Sequence, residues 1–179
     1  IFLSEAFTRS ALMYHLGKIG FTQSYNYFPW KNSKQELIGY MDELTRGSTG
    51  EIFRPNFWPN TPDINTFPMQ SANQALFMIR TFLAATLSSS YGMYGPAWEM
   101  MIRDAMPGKE EYYRSEKYEI YHWDWTKKNS ITMLITMLNK IRNAHPAFHE
   151  TNNWENINIQ NDQMIAYYKQ SEDGTDKIL

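Results

Sequence analysis

Strand and helix patterns alternate along residues 1–145, and this alternation constrains the fold more than any other feature of the sequence. Short runs rich in apolar and aromatic residues predict four strands, at Ile1–Leu3, Phe21–Phe28, Glu51–Arg54 and Ser88–Met93. Apolar residues at helical spacing fill the stretches between and after them. Because strands that alternate with helices usually form parallel βα units, the pattern predicts an α/β fold with parallel strands.

The spacing of apolar residues predicts four helices. They are expected at Thr8–Lys18, after a Ser-x-x-Glu capping box at Ser33 and Glu36, from Ala72 to Leu87, and after an N-cap at Ser130. The remaining segments are expected to be a break at Gly47–Gly50 and two long loops, at Pro55–Gln70 and Pro96–Lys128.

The pattern changes after Pro146. Trp154–Ile159 and Met164–Lys169 alternate like short strands, a polar turn joins them, and a third strand is predicted to begin at Lys177. We therefore predict two domains. Residues 1–145 would form half of an eight-unit (β/α)8 barrel, and residues 146–179 would start an antiparallel β-domain of the sandwich type.

Composition excludes several classes of function. Hydrophobic residues make up 42% of the chain, which is enough for a sizeable core, and the net charge of −2 gives no basic surface for nucleic acid or acidic membranes. The absence of cysteine excludes disulfides and thiolate metal sites and fits a reducing cytoplasm. No apolar stretch approaches the length of a membrane span, and the four histidines lack metal-ligand spacing, so neither a membrane nor a metal or other cofactor is expected.

Two carboxylates and one loop are candidates for chemistry. Glu5 follows the first predicted strand and precedes Ala6-Phe7, a partly apolar setting of the kind that suits a carboxylic acid catalyst, although a lone glutamate there is more often a solvated residue. Asp63 ends an irregular segment rich in proline and asparagine, which suits either a side chain aimed into a cleft or a simple turn. Lys117 and Tyr118 could bind sugar hydroxyls or belong to an ordinary charged loop.

Five sequence segments together resemble one family, the α-1,4-glucan:maltose-1-phosphate maltosyltransferases of the α-amylase superfamily (glycoside hydrolase family 13). The resemblance covers nearly the whole chain up to Asn143 and is fainter beyond it. The segments are Phe2-Leu3-Ser4-Glu5-Ala6-Phe7-Thr8-Arg9, Gly20–Tyr25 with Tyr27–Asn32, Phe53–Asp63, Ser90-Tyr91-Gly92-Met93-Tyr94-Gly95-Pro96 and Ser115-Glu116-Lys117-Tyr118.

The resemblance implies a role for each candidate residue. Glu5 matches the general acid/base after barrel strand five, Asp63 matches the third carboxylate after strand seven, and Lys117 and Tyr118 match residues that bind the maltosyl unit. The nucleophilic aspartate and most of the phosphate-binding residues of the family are expected ahead of Ile1. The chain would then be the C-terminal half of the barrel, about strands five to eight, followed by the start of the β-domain.

The implied reaction is a retaining transfer of maltosyl from α-maltose 1-phosphate to the non-reducing end of an α-1,4-glucan. No cofactor is implied, and the full-length protein is expected to be a homodimer. An α-amylase-type hydrolase and an inactive glucan-binding domain are alternatives. Thr61-Pro62 argues against the hydrolase, because α-amylases typically carry a histidine directly before the third carboxylate. Residues 1–179 alone are expected to be inactive and to aggregate or self-associate.

Overall fold

Helices and short strands alternate through the first part of the chain in a computed structural model that describes residues 1–179. The elements in order are β1 (Leu3–Ser4), α1 (Ser10–Lys18), β2 (Gln23–Ser24), α2 (Lys34–Thr45), α3 (Gly47–Ile52), β3 (Asn56–Phe57), α4 (Phe67–Gln70), α5 (Gln74–Leu87), β4 (Ser90–Tyr91), α6 (Gly95–Glu99), α7 (Ser130–Ala144), β5 (Trp154–Ile157), β6 (Ala166–Gln170) and β7 (Lys177–Ile178). Turns of 3₁₀-helix lie at Phe28–Trp30 and Pro146–Phe148. The fold is therefore a mixed α/β fold, as the alternation predicts.

The first four strands are parallel and are neighbours in chain order. β1 pairs with β2, and β3 pairs with β4. A parallel bridge between Ser24 and Pro55 joins the two pairs. Parallel strands end at a common edge, so the segments that follow β1, β2, β3 and β4 lie on the same side of the molecule. This edge carries the candidate site.

The third strand was predicted in the wrong place. Glu51 lies in α3, which covers the segment expected to break the chain at Gly47–Gly50, and the strand follows at Asn56–Phe57. The break comes earlier, at Arg46, whose extended backbone (φ −106°, ψ 156°) separates α2 from α3. Gly50 then passes so close to α2 that a Cβ atom would lie 2.4 Å from the Thr45 carbonyl oxygen, which explains a glycine inside this helix.

The other strands and one cap also differ from the sequence expectation. The aromatic run Phe21–Phe28 contributes only Gln23–Ser24 to the sheet, because its last residue begins a 3₁₀ turn with Pro29 at its start. Asn129, not Ser130, caps α7 and accepts the backbone N–H groups of Ile131 and Thr132. The remaining strands are shorter than expected: β1 is Leu3–Ser4, β4 is Ser90–Tyr91, β5 is Trp154–Ile157 and β6 begins at Ala166. The loops expected at Pro55–Gln70 and Pro96–Lys128 contain β3, α4 and most of α6.

The last part of the chain forms the predicted antiparallel sheet, with strand order β5-β6-β7. Its Trp154 is buried in the same twelve-residue hydrophobic cluster as residues of α1, α2 and α5, such as Met13, Met41 and Leu87. The sheet therefore packs on the layer of helices that flanks the parallel strands. None of the helices is long and apolar enough to cross a membrane.

Buried arginine Arg80 of α5 fixes the segment after β2. Its guanidinium donates hydrogen bonds to the carbonyl oxygens of Phe28 (2.7 Å) and Lys31 (2.7 Å) and lies over the Phe28 ring. Burial lowers the pKa of Arg80 to about 10, so the side chain remains charged at neutral pH. This anchor holds the residues after β2 at the edge where the candidate site lies.

Candidate functional site

Glu5 lies directly after β1. The strand is fixed by the buried Ser4, whose hydroxyl hydrogen-bonds with that of Ser24 (2.6 Å) and whose carbonyl oxygen accepts the backbone N–H of Tyr25 (2.9 Å). Burial raises the pKa of the Tyr25 phenol, and the negative charge of Glu5 adds to this effect. The Glu5 side chain is exposed, in contrast to the partly apolar setting expected from sequence.

Asp63 is held by a hydrogen-bonded turn in the loop of residues 58–66, which we call the Asp63 loop. The hydroxyl of buried Thr61 donates to Asp63 Oδ1 (2.9 Å) and accepts the backbone N–H of Ile64 (3.0 Å). About a third of the Asp63 side chain is exposed (33%). Asp63 therefore lies in a turn and also presents a partly exposed carboxylate in the segment after β3.

Lys117 reaches Asp63 from a loop 54 residues further along the chain. Its Nζ lies 3.3 Å from Asp63 Oδ2 and 5.4 Å from the centre of the Tyr118 ring. The hydrogen bond to Asp63 is the main cause that raises the pKa of Lys117, so the ammonium group is charged at neutral pH. The structure therefore brings together three of the four predicted residues, Asp63, Lys117 and Tyr118.

Buried Ser115 fixes this contact. Its hydroxyl donates to the Pro62 carbonyl oxygen (2.9 Å) and accepts the backbone N–H of Lys117 (3.2 Å). The Ser115 side chain thus joins Pro62, directly before Asp63, to the segment that carries Lys117. Since Ser115 is part of the Ser-Glu-Lys-Tyr segment, this motif carries its own anchor.

No hydrogen bond or ion pair joins Glu5 to the Asp63–Lys117 pair, whose partners are Thr61 and each other. An aromatic cluster connects the two places. Phe7, two residues after Glu5, lies 5.5 Å from the Trp58 ring at the start of the Asp63 loop, and Tyr25 and Trp30 lie 5.3 Å and 5.5 Å from Trp58. The ends of β1, β2 and β3 are therefore tied together by rings, which fixes the position of Glu5 relative to the Asp63 loop.

Asn60 is a structural member of the site that sequence reasoning did not single out. Its side-chain amide donates to the Tyr112 hydroxyl (2.9 Å) and the Tyr94 carbonyl oxygen (3.2 Å), and its oxygen accepts the Tyr94 N–H (3.0 Å). Asn60 is buried, so it connects the Asp63 loop to the segment after β4 from inside the protein. The sequence feature that could have indicated Asn60 is its position between Pro59 and Pro62, a few residues after a strand.

The comparison with known proteins agrees with the motif evidence. No protein-family model matches the chain. The chain is 49% identical over 180 residues to the α-1,4-glucan:maltose-1-phosphate maltosyltransferase of Methylacidiphilum infernorum, which covers 100% of this chain and 27% of that protein. The enzyme of the same name from Chlorobaculum tepidum is 49% identical over 185 residues, with 100% of this chain and 28% of that protein covered.

A third relative of the same name, from Salinibacter ruber, is 44% identical over 173 residues, with 97% of this chain and 26% of that protein covered. The chain thus spans about a quarter of the length of the curated relatives that it matches. Sequence identity of 44–49% along practically the whole chain, together with the five ordered motifs, is much higher than a shared fold alone requires. Along practically its whole length, the chain is similar to one segment of members of the α-1,4-glucan:maltose-1-phosphate maltosyltransferase family.

Proposed function

We propose that this chain supplies the acid/base half of the active site of a retaining maltosyltransferase. The observation that carries the proposal is the Asp63–Lys117–Tyr118 contact at the edge where the parallel strands end, with Glu5 after β1 at the same edge. Active sites of (β/α)8 enzymes lie at this edge. The chain-order pairing of β1 to β4 supports the further proposal that residues 1–145 are half of such a barrel.

The proposed reaction transfers maltosyl from α-maltose 1-phosphate to an α-1,4-glucan in two displacements. A carboxylate nucleophile, which the family resemblance places ahead of Ile1, attacks the anomeric carbon, and the bond from this carbon to the phosphate oxygen breaks. Glu5 can give a proton to the departing phosphate. In the second displacement the 4-hydroxyl of the acceptor attacks the same carbon, the bond to the nucleophile breaks, and Glu5 takes the hydroxyl proton.

Asp63 and Lys117 have complementary parts in this proposal. The exposed part of the Asp63 carboxylate accepts hydrogen bonds from hydroxyl groups of the maltosyl unit and offsets the positive charge that develops on the sugar ring. Charged Lys117 donates hydrogen bonds to sugar hydroxyls, and the neighbouring Tyr118 ring, which is 74% exposed, is open for contact with the sugar. The direct contact between Asp63 and Lys117 would keep both side chains in one orientation before the substrate binds.

The experiment is phosphate release from α-maltose 1-phosphate by the full-length protein, with and without glycogen. Glycogen-dependent release is expected, and Glu5→Gln should lower turnover by about 10²- to 10⁴-fold. Because phosphate is a good leaving group, the variant should still release one equivalent of phosphate before turnover stalls at the step that needs a base. Glu51→Gln is the matched control, since Glu51 is exposed on α3, away from the strand ends.

The products decide between this proposal and its alternatives. Elongated glucan together with free phosphate supports the transferase. Reducing ends released from starch without use of maltose 1-phosphate would identify a hydrolase, and glucan binding without either product would identify an inactive binding domain. We also propose that the full-length enzyme is a cytoplasmic homodimer, as the resemblance implies and the lack of cysteine allows; light scattering and cell fractionation test these two points.

A further inference from the structure

A cleft of about 600 Å³ opens between the Asp63 loop and the long loop between α6 and α7, residues 100–129. This volume lies within the range of about 300–1,000 Å³ that is usual for small-molecule sites. Its wall includes four aromatic residues of the long loop, Tyr112, Tyr113, Tyr121 and Trp123. None of them has a part in the reaction proposed above.

Two of these rings are held in fixed positions. Tyr121 and Trp123 are stacked, with their centres 5.3 Å apart and their planes 25° apart. The indole N–H of Trp123 donates to Glu116 Oε1 (3.0 Å), which fixes the ring further. Both residues are half-buried, so part of each ring remains open to a ligand. Fixed aromatic surfaces of this kind suit flat apolar faces, such as those of sugar rings.

The polar groups of the cleft suit a neutral ligand rich in hydroxyl groups. Arg114 and His122 contribute hydrogen-bond donors, and Asp104 and Glu116 contribute acceptors, so the wall has charges of both signs. An anion or a cation would meet like charges in such a cleft. Tyr94, another wall residue, carries a buried hydroxyl without a hydrogen-bond partner in the protein, so a hydrogen bond is available to a ligand that reaches it.

The cleft is directly beside the candidate site. Pro62, the neighbour of Asp63, and Glu116, the neighbour of Lys117, both contribute to its wall. We propose that the cleft binds glucose units of the α-1,4-glucan acceptor and holds the chain next to the site of transfer. This inference rests on the proposed function only in that the bound glucan is the acceptor of the transfer. The binding of an α-glucan at Trp123 can be measured without any transfer.

The test uses the full-length protein and maltoheptaose, a short α-1,4-glucan. Binding is measured by calorimetry without maltose 1-phosphate, and the KM values for glycogen and for maltose 1-phosphate are measured separately. Trp123→Ala is expected to weaken maltoheptaose binding about tenfold or more and to raise the KM for glycogen similarly, with the KM for maltose 1-phosphate unchanged. Trp125→Ala is the matched control, because Trp125 lies two residues away, is 73% exposed and does not line the cleft.

Trp123→Phe is the control for a folding defect, since it keeps an aromatic ring at this position and should retain most of the maltoheptaose binding. A folded Trp123→Ala protein with unchanged maltoheptaose binding and unchanged KM for glycogen overturns the inference, and so does an effect confined to maltose 1-phosphate. If binding depends on Trp123 but no phosphate is released by the native protein, the glucan cleft stands and the proposed function fails. If transfer is normal and insensitive to Trp123, the function stands and the cleft inference fails.

Discussion

Lys169 of β6 is a completely buried charged residue, and its surroundings explain both its position and its titration. Its Nζ donates to the Glu150 carbonyl oxygen (2.6 Å) and reaches the Leu87 carbonyl oxygen at the end of α5 (3.5 Å). Burial lowers its pKa to about 7, the nearby charge of Arg142 adds to this shift, and Glu150 opposes it. Lys169 therefore joins the antiparallel sheet to α5 while it is close to losing its proton at neutral pH.

This pKa predicts a pH dependence of stability. The unfolded chain keeps the Lys169 proton up to its ordinary pKa of about 10.5, whereas the folded chain releases it near pH 7, so the unfolded state binds more protons between these values. Stability should therefore rise with pH across this window, by up to about 1.4 kcal/mol per pH unit from this group.

Lys169→Met removes the titrating group, so melting curves between pH 7 and 9 should lose this rise. Lys177→Met is the control, because Lys177 is exposed on β7 and its removal should leave the pH dependence as it is. Equal pH slopes for Lys169→Met and the native protein would contradict the prediction.

At the scale of elements, helix α1 packs on α3 through a glycine. A Cβ atom on Gly17 would lie 2.7 Å from the Ile52 carbonyl oxygen, too close for an ordinary contact with backbone. Gly17→Ala should therefore push the two helices apart and lower the free energy of unfolding by about 1–3 kcal/mol.

Gly39→Ala is the matched comparison and should act in the opposite direction. Gly39 lies inside α2, is exposed, and a Cβ atom there would meet nothing within 4 Å. Alanine should stabilise α2 by about 0.5–1 kcal/mol because it reduces the conformational freedom of the unfolded chain. Urea unfolding of the two variants measures both effects, and equal signs would refute the packing argument.

The helices could be predicted from the sequence because their signals are local. The capping box at Ser33 and Glu36 forms both of its hydrogen bonds, and the helix predicted from Ala72 to Leu87 is found as α5 at Gln74–Leu87. The strands are only two residues long in the parallel part, and aromatic runs such as Phe21–Phe28 continue past them into the ring cluster around Trp58. Apolar content alone could not locate where such strands end.

The candidate site could be predicted in its members but not in its arrangement. Family motifs indicated Asp63 and Lys117, yet their contact joins positions 54 residues apart, which no local spacing reveals. Asn60 was missed because its three hydrogen bonds depend on backbone and side-chain groups of two distant segments. The cleft at Trp123 could not be predicted for the same reason, since its wall combines residues of the Asp63 loop, the segment after β4 and the long loop.

At the scale of the whole molecule, one face of the chain is open and apolar. β1 pairs with β2 on one side only. Phe2, directly before β1, is 68% exposed, Leu12 of α1 is 57% exposed, and Ile19, the residue after α1, is 60% exposed. An unpaired parallel edge next to large exposed apolar side chains is a surface that other chain segments readily cover.

We therefore predict that residues 1–179 expressed alone self-associate and transfer no maltosyl, as size-exclusion chromatography with light scattering and a phosphate-release assay would detect. Leu12→Lys combined with Ile19→Glu should shift the isolated segment toward monomer, because charges on this face oppose its burial. The same pair in the full-length protein should lower the melting temperature, since the face is expected to be covered there. An isolated native segment that is monomeric and active would contradict the prediction. A double variant that leaves both association and full-length stability unchanged would show that this face is not the contact surface.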